Sequence, residues 1–245
     1  DCLLSRGLGD VYKRQYLYYT LSAITIIFMI AVPILTMRSF AEDRKNKTDQ
    51  LMLTAPVPVA KVVLGKYLAM LAVFTVDIAV FCVTPLILRA FGTIPMGESY
   101  IAILAFWLYG AASIAVGMFI SALTESQVIA AVLTFVVLFI SYMMQSLTGL
   151  ISSDGNWLTK ILNGLDLYAP FEKFQGGCLD ITAILYYVTV IVLFNFFTVQ
   201  AIQKRRWSIS KKTFSLSVFS SSFIVVVLAP VSYTHLRAHE TRGNL

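Results

Sequence analysis

Few residues with reactive side chains stand close together in this chain. His235 and His239 lie four apart and are followed by Glu240. On a helix that spacing puts two imidazoles on one face beside a carboxylate, the pattern of a zinc site. These are the only two histidines, and both fall in SYTHLRAHETRGN, a polar stretch that begins just after the apolar run SFIVVVLA breaks off. Gly65-Lys66 is followed by Tyr67 and has no glycine five residues before it, so it is not a phosphate loop. Cys2, Cys82 and Cys178 are odd in number and widely spaced, with neither a metal-ligand nor a disulfide pattern. Outside the C-terminal tail no nucleophile–base pair and no metal cluster can be assembled. The expectation is a chain with no catalytic residue, no metal and no cofactor of its own.

What remains is polar chemistry in apolar surroundings. Asp77 sits mid-way along VFTVDIAVF. An aspartate at the centre of a membrane helix costs about 2.5–3.5 kcal/mol on the insertion scale. The twelve Leu, Ile, Val and Phe residues of the surrounding 67–88 window more than offset that, at about 0.3–0.6 kcal/mol each. Asp77 should therefore face the bundle, a dimer interface or a wet cavity. It is either a substrate-path or ion-linked group, or a carboxyl bonded to a neighbouring hydroxyl or amide. Asn195 reads as amide glue between helices. Ser113, Gly117 and Ser121 recur at four-residue spacing, which lets helix backbones approach closely, or else lines a pathway.

The elements that must position these residues follow from composition. Hydrophobic residues make up 58% of the 245 and charged residues only 13%, with a mean hydropathy of +0.78. Soluble domains carry about 25% charge, so a soluble enzyme, a disordered chain and a disulfide scaffold are all excluded. Apolar windows fall near 16–37, 67–88, 100–122, 128–147 and 181–202, with a shorter sixth at 213–229. Each of the first five is long enough to cross a hydrocarbon core of about 30 Å as a helix. The expected fold is an all-α, polytopic transmembrane bundle. Eleven basic residues, six in 38–66 and five in 203–212, fall on one side of the alternating spans, against three in 89–99 and 148–180. The positive-inside rule puts 38–66, 123–127 and 203–212 in the cytoplasm. The net charge of +6 then reports topology rather than a nucleic-acid partner. Residues 1–15 and 231–245 resemble translated adapter sequence and are expected to lie outside the native design. That leaves a membrane domain over 16–207, preceded by a missing helix, and the start of a further span over 208–230. Trp157, Leu158, Ile161, Leu162, Tyr168, Phe171 and Phe174 in 148–180 point to short interfacial helices with aromatics at headgroup depth.

Segment 38–66 is the most informative. The charges of Glu42, Asp43, Arg44 and Lys45 give way to Leu51, Met52 and Leu53, then to a Pro-Val-Pro break and a helix entry. Pro58 suits a first helical position, where its missing N–H costs nothing. The picture is a short amphipathic helix at the cytoplasmic face, lying on the membrane or presented to a soluble partner.

PILTMRSFAEDRK followed by TDQLMLTAPVPVAKVVLGKYLA resembles the signature of type-2 ATP-binding-cassette (ABC) transporter permeases, in particular the gliding-motility-associated subfamily. The matching positions are Thr36, Met37, Arg38, Glu42, Asp43, Thr48, Leu51, Leu53, Thr54, Pro56, Val57, Leu64, Gly65 and Lys66. The likeness continues through GMFISALTESQVIAA and FEKFQGGCLDITAILYY to about residue 207. Lys47 stands where that family usually has Gly, Gln50 where it has Glu, and Pro58-Val59 where it has a Ser-Asp helix cap. The resemblance implies a permease subunit, an exporter, in the bacterial cytoplasmic membrane. It would pair with a second permease copy or homologue and with a separate cytoplasmic ABC ATPase that alone binds ATP. Glu42, Asp43, Arg44, Thr48, Gln50, Leu51, Leu53, Pro56, Gly65 and Lys66 would couple the two. The alternative is a non-transport anchor or assembly subunit of an ATPase-linked envelope or gliding complex.

Overall fold

The computed structural model describes residues 23–48, 57–90, 96–151, 167–168, 170–171 and 181–206. All regular structure among them is helical. In chain order the helices are α1 (23–36), α2 (Ala41–Lys45), α3 (Val59–Phe81), α4 (Thr84–Ala90), α5 (Met96–Leu123), α6 (Gln127–Ile151) and α7 (Ile181–Arg206). Five helical stretches of the described residues are long and apolar enough to cross a membrane: Ala23–Lys45, Val59–Ile87, Ser99–Leu123, Gln127–Met144 and Ile181–Lys204. The polytopic all-α bundle expected from the apolar windows is therefore what forms. The sixth window, 213–229, lies outside the described residues, as do both tails with His235, His239 and Glu240.

Two boundaries differ from the sequence reading. The second span is not continuous over 67–88 but breaks at Cys82–Val83 between α3 and α4. Pro85 has no N–H to offer the carbonyl of Phe81, so the ladder must break there. Cys82 and Val83 instead donate back to Ile78 and Val80 in a closing turn. Pro58, placed at the first helical position from sequence, occupies the N-cap of α3, with Val59 the first helical residue.

The core sits around α5. Of its apolar window 83% is buried, against 17–39% for the other four spans. A helix that is apolar on every side belongs at the centre of a bundle, and the small residues of α5 let its neighbours come close. The Phe74 ring of α3 and the Phe28 ring of α1 rest on Gly110; a Cβ there would stand 2.2 Å from Phe74. Phe28 and Phe74 pack on each other at 4.8 Å between centroids. Tyr67 of α3 donates its hydroxyl to the Ala111 carbonyl at 3.2 Å. At Gly117 the close neighbours are Thr36 at the end of α1 and Thr134 of α6. On the far side Phe119 meets Phe194 and Phe197 of α7.

Two described pieces of the α6–α7 connection turn back into the bundle. Leu167, Tyr168 and Phe171 are all buried. Phe171 stacks on Tyr109 at 5.8 Å, and Tyr168 meets Tyr142 edge-on at 4.8 Å. These two aromatics are thus core residues rather than headgroup-level anchors. Trp157, Leu158, Ile161, Leu162 and Phe174 lie outside the described residues.

Candidate functional site

Among the described residues, most charged side chains lie in 38–66. α1 leads into a turn over 37–40 and then into α2, five residues long. A helix this short leaves almost every backbone N–H and C=O without an internal partner, so its groups must be satisfied from elsewhere. Phe40, the N-cap, supplies no side-chain hydrogen bond. The cap comes from α5 instead. The backbone N–H groups of Phe40 and Ala41 both donate to Ser121 Oγ at 3.1 Å, and that hydroxyl donates to the Met37 carbonyl at 3.2 Å. One donor and two acceptor positions are all that a serine hydroxyl has, and here all three are used.

The return contact runs from α2 to α5. Arg44 donates through Nη1 to the Ala122 carbonyl at 3.0 Å and through Nη2 to Glu125 Oε1 at 3.2 Å. Ala122 lies in the last turn of α5, where carbonyls lack helical partners and the helix dipole favours a cation. The Arg44 side chain is 8% exposed, that of Glu125 80%. The charge of Arg44 is therefore turned inward. A third tie reaches α3. Lys66 Nζ bonds the Ser39 carbonyl and pairs with Asp43 Oδ2, and it stands 4.6 Å from the centroid of the Phe40 ring.

α2 closes in a Schellman turn. Thr48 N–H donates to the Asp43 carbonyl at 2.9 Å and Lys47 N–H to the Arg44 carbonyl at 3.2 Å, the two bonds that define the motif. Its C′ residue must take a left-handed conformation, and Lys47 does so with φ of 59°. The Thr48 hydroxyl adds a further bond to the Asp43 carbonyl at 3.1 Å.

The sequence-derived candidates divide on this geometry. Asp43, Arg44, Thr48 and Lys66 come together in one cluster with Ser121, which had been grouped with Ser113 and Gly117. Ser113 is buried and donates to its own helix at the Tyr109 carbonyl. Glu42 is half-buried in the first turn of α2, and Gly65 is exposed, with open space where a side chain would stand. Gln50, Leu51, Leu53 and Pro56 lie outside the described residues. Asp77 and Asn195 do not join the cluster. Asp77 is exposed on the outer face of α3, away from this protomer's core. Asn195 is buried, donates Nδ2 to the Ile191 carbonyl at 2.8 Å, and leaves Oδ1 without a partner. Ser39, Phe40, Ala122 and Glu125 belong to the cluster and carry no signal of chemistry in the sequence; only the polar Thr-Glu-Ser between two apolar runs marks the 124–126 turn.

Phe119, in the last turns of α5, meets Phe194 and Phe197 in the middle and second half of α7. Arg44, Lys45, Lys47 and Lys66 stand at the end of the bundle where α5 stops. A family model described as ABC-2 family transporter protein matches residues 9–176. The chain belongs to that family. No curated protein and no solved structure matches it. As an ABC-2 family member with five apolar spans it is a multi-pass membrane permease component of an ABC transporter. In the ABC-2 family ATP hydrolysis resides on a separate cytoplasmic subunit.

Proposed function

We propose that this chain is the membrane half of an ATP-driven exporter of the gliding-motility-associated type, and that segment 39–66 receives the motion of a separate ATPase. The carrying observation is α2 itself. It is a short charged helix fixed across the basic end of the bundle, with its last residue Lys45 and the following Asn46 and Lys47 exposed. By the positive-inside rule that end faces the cytoplasm, where an ATPase would dock. Export, and pairing with a second permease copy or homologue, rest on the resemblance of TMRSFAEDRK and LGKYLA to those permeases. Gln50, standing where those permeases usually have Glu, carries no charge for a salt bridge to the ATPase.

Co-purification through a tag on this chain, followed by ATPase assay in lipid nanodiscs, tests the role. An ATP-hydrolysing subunit is expected to co-purify, with its rate raised by the permease. Glu42→Ala or Pro56→Ala should lower that stimulation without lowering membrane insertion. A thiol-reactive probe should reach Lys47→Cys only in inside-out vesicles. Labelling from the outside, or unchanged stimulation in both variants, would count against coupling through 39–66 and favour an anchoring subunit.

A further inference from the structure

The contacts between α2 and α5 are reciprocal. Ser121 of α5 satisfies the N-terminal backbone of α2, and Arg44 of α2 satisfies the C-terminal backbone of α5. α2 has no side-chain cap of its own there and takes one from Ser121, while α5, whose Ile120 carbonyl is held by Thr124, has its Ala122 carbonyl held by Arg44. The partners lie about 80 residues apart in sequence (; a loop closure of that length costs chain entropy), so this is tertiary structure and not a local turn. Glu125 then extends the joint from the end of α5 into the turn leading to α6.

We propose that α2 and the α5–α6 turn form one rigid lever, with Ser121 and Arg44 as its positioning residues. The inference rests on the coupling role proposed above and names where the received motion goes. Arg44 is not a docking charge for the ATPase, because its side chain is enclosed, with Nη1 held by Ala122 of α5 and Nη2 by Glu125 of the following turn, and Nε buried without a partner. A push on α2 is instead delivered to the C-terminal end of α5. That helix is the central post, touching α1 at Gly117, α3 at Gly110 and Ala111, and α7 at Phe119. Were α2 a loosely tethered connector, its two leading N–H groups would need a local cap or water. They have neither need, since a buried hydroxyl on α5 holds both. Lys66 clips the same elbow to α3 through Asp43 and the Ser39 carbonyl, so the base of a second span follows the lever.

The test uses the complete permease–ATPase complex in nanodiscs, with Cys2, Cys82 and Cys178 replaced by serine. Spin labels at Lys45→Cys on α2 and Val128→Cys at the start of α6 report the joint directly. A rigid lever keeps the centre of their distance distribution within about 2 Å between the nucleotide-free and the ATP–vanadate states, the scale of small helix shifts. Ser121→Ala should broaden the distribution and lower permease-dependent ATPase stimulation about fivefold, the equivalent of one net hydrogen bond. Ser121→Thr, which keeps the hydroxyl, should restore both. Arg44→Lys provides a second variant, because a point charge cannot serve Ala122 and Glu125 together as the guanidinium fork does; it should broaden the distribution in the same way. A shift of the unmutated pair by more than about 3 Å, approaching a one-turn slip, would overturn the lever, as would wild-type behaviour of both Ser121→Ala and Arg44→Lys. Disulfide cross-linking from Lys47→Cys to a cysteine on the ATPase separates the two claims. A cross-link together with a moving label pair overturns the lever alone. No cross-link in any variant overturns the coupling role and the lever's function with it.

Discussion

Lys47 pays a conformational cost at the point where α2 ends. Its φ of 59° lies in the left-handed region, where a residue with a Cβ is disfavoured by roughly 1 kcal/mol relative to glycine. The permeases that this sequence resembles usually have glycine there, in keeping with the Schellman geometry. Lys47→Gly is expected to stabilise the protein by up to about 1 kcal/mol, visible as a higher Tm in detergent. A lower Tm would mean that the Lys47 side chain makes a compensating contact. Asp77 poses the opposite case. It is exposed on α3 and has no bonding partner among the described residues, so Asp77→Leu should alter the Tm of the detergent-solubilised protomer by no more than about 0.5 kcal/mol equivalent. Insertion of the span should meanwhile improve, because about 2.5–3.5 kcal/mol of transfer cost disappears. A large loss of Tm would show that the carboxyl is bonded inside the assembly, and a crossed glycosylation-mapping assay would read the insertion.

Among the elements, α5 imposes the tightest steric limits. A Cβ at Gly117 would come within 2.5 Å of Thr36 Oγ1 and 3.0 Å of Thr134 Cγ2. Thr36 cannot simply rotate away, because its hydroxyl is bonded to the Val32 carbonyl at 2.9 Å. Gly117→Ala should therefore force α1 or α6 outward and cost about 1–3 kcal/mol, measured as a fall in Tm and in the yield of monodisperse protein. Gly65→Ala, at an exposed helical position with open space around it, should instead stabilise α3 by about 0.5–1 kcal/mol. The helices themselves were legible because hydropathy over a window of about 20 residues reports bilayer crossing directly. The break after α3 was missed, because a hydropathy window over 67–88 does not register the N–H that Pro85 lacks. What the four-residue spacing of Ser113, Gly117 and Ser121 could convey was a shared face and nothing about its neighbours. That Ser121 caps α2 depends on a contact 80 residues away, which no local pattern encodes. The contacts of Arg44 were hidden for the same reason: a charge run names no partner until the fold supplies a carbonyl and a carboxylate to receive it.

At the scale of the whole molecule, the bundle is pinned at two levels by side chains that satisfy backbone groups. The basic end has Ser121 and Arg44; Ser141 and Tyr187 act beside the middle of α5. There Leu167 N–H donates to Ser141 Oγ at 2.9 Å, and the Tyr187 hydroxyl donates to the Leu167 carbonyl at 2.8 Å. The neighbouring Phe171 stacks on Tyr109, which stands fourteen residues from the end of α5 at Leu123, or about 21 Å at 1.5 Å per residue. Non-helical backbone at such depth is tolerated only when protein encloses it and satisfies its polar groups. Tyr187→Phe keeps the ring and removes only the hydroxyl, leaving the Leu167 carbonyl buried without this donor. The cost should be about 1–3 kcal/mol. It should appear locally, as faster hydrogen–deuterium exchange in peptides covering 167–171. Exchange at 37–48 should not change, because Ser121 and Tyr109 stand twelve residues apart on α5, or about 18 Å at 1.5 Å per residue. If exchange instead rose at both levels together, the bundle would be opening as a single unit, and the two pins could not be adjusted separately.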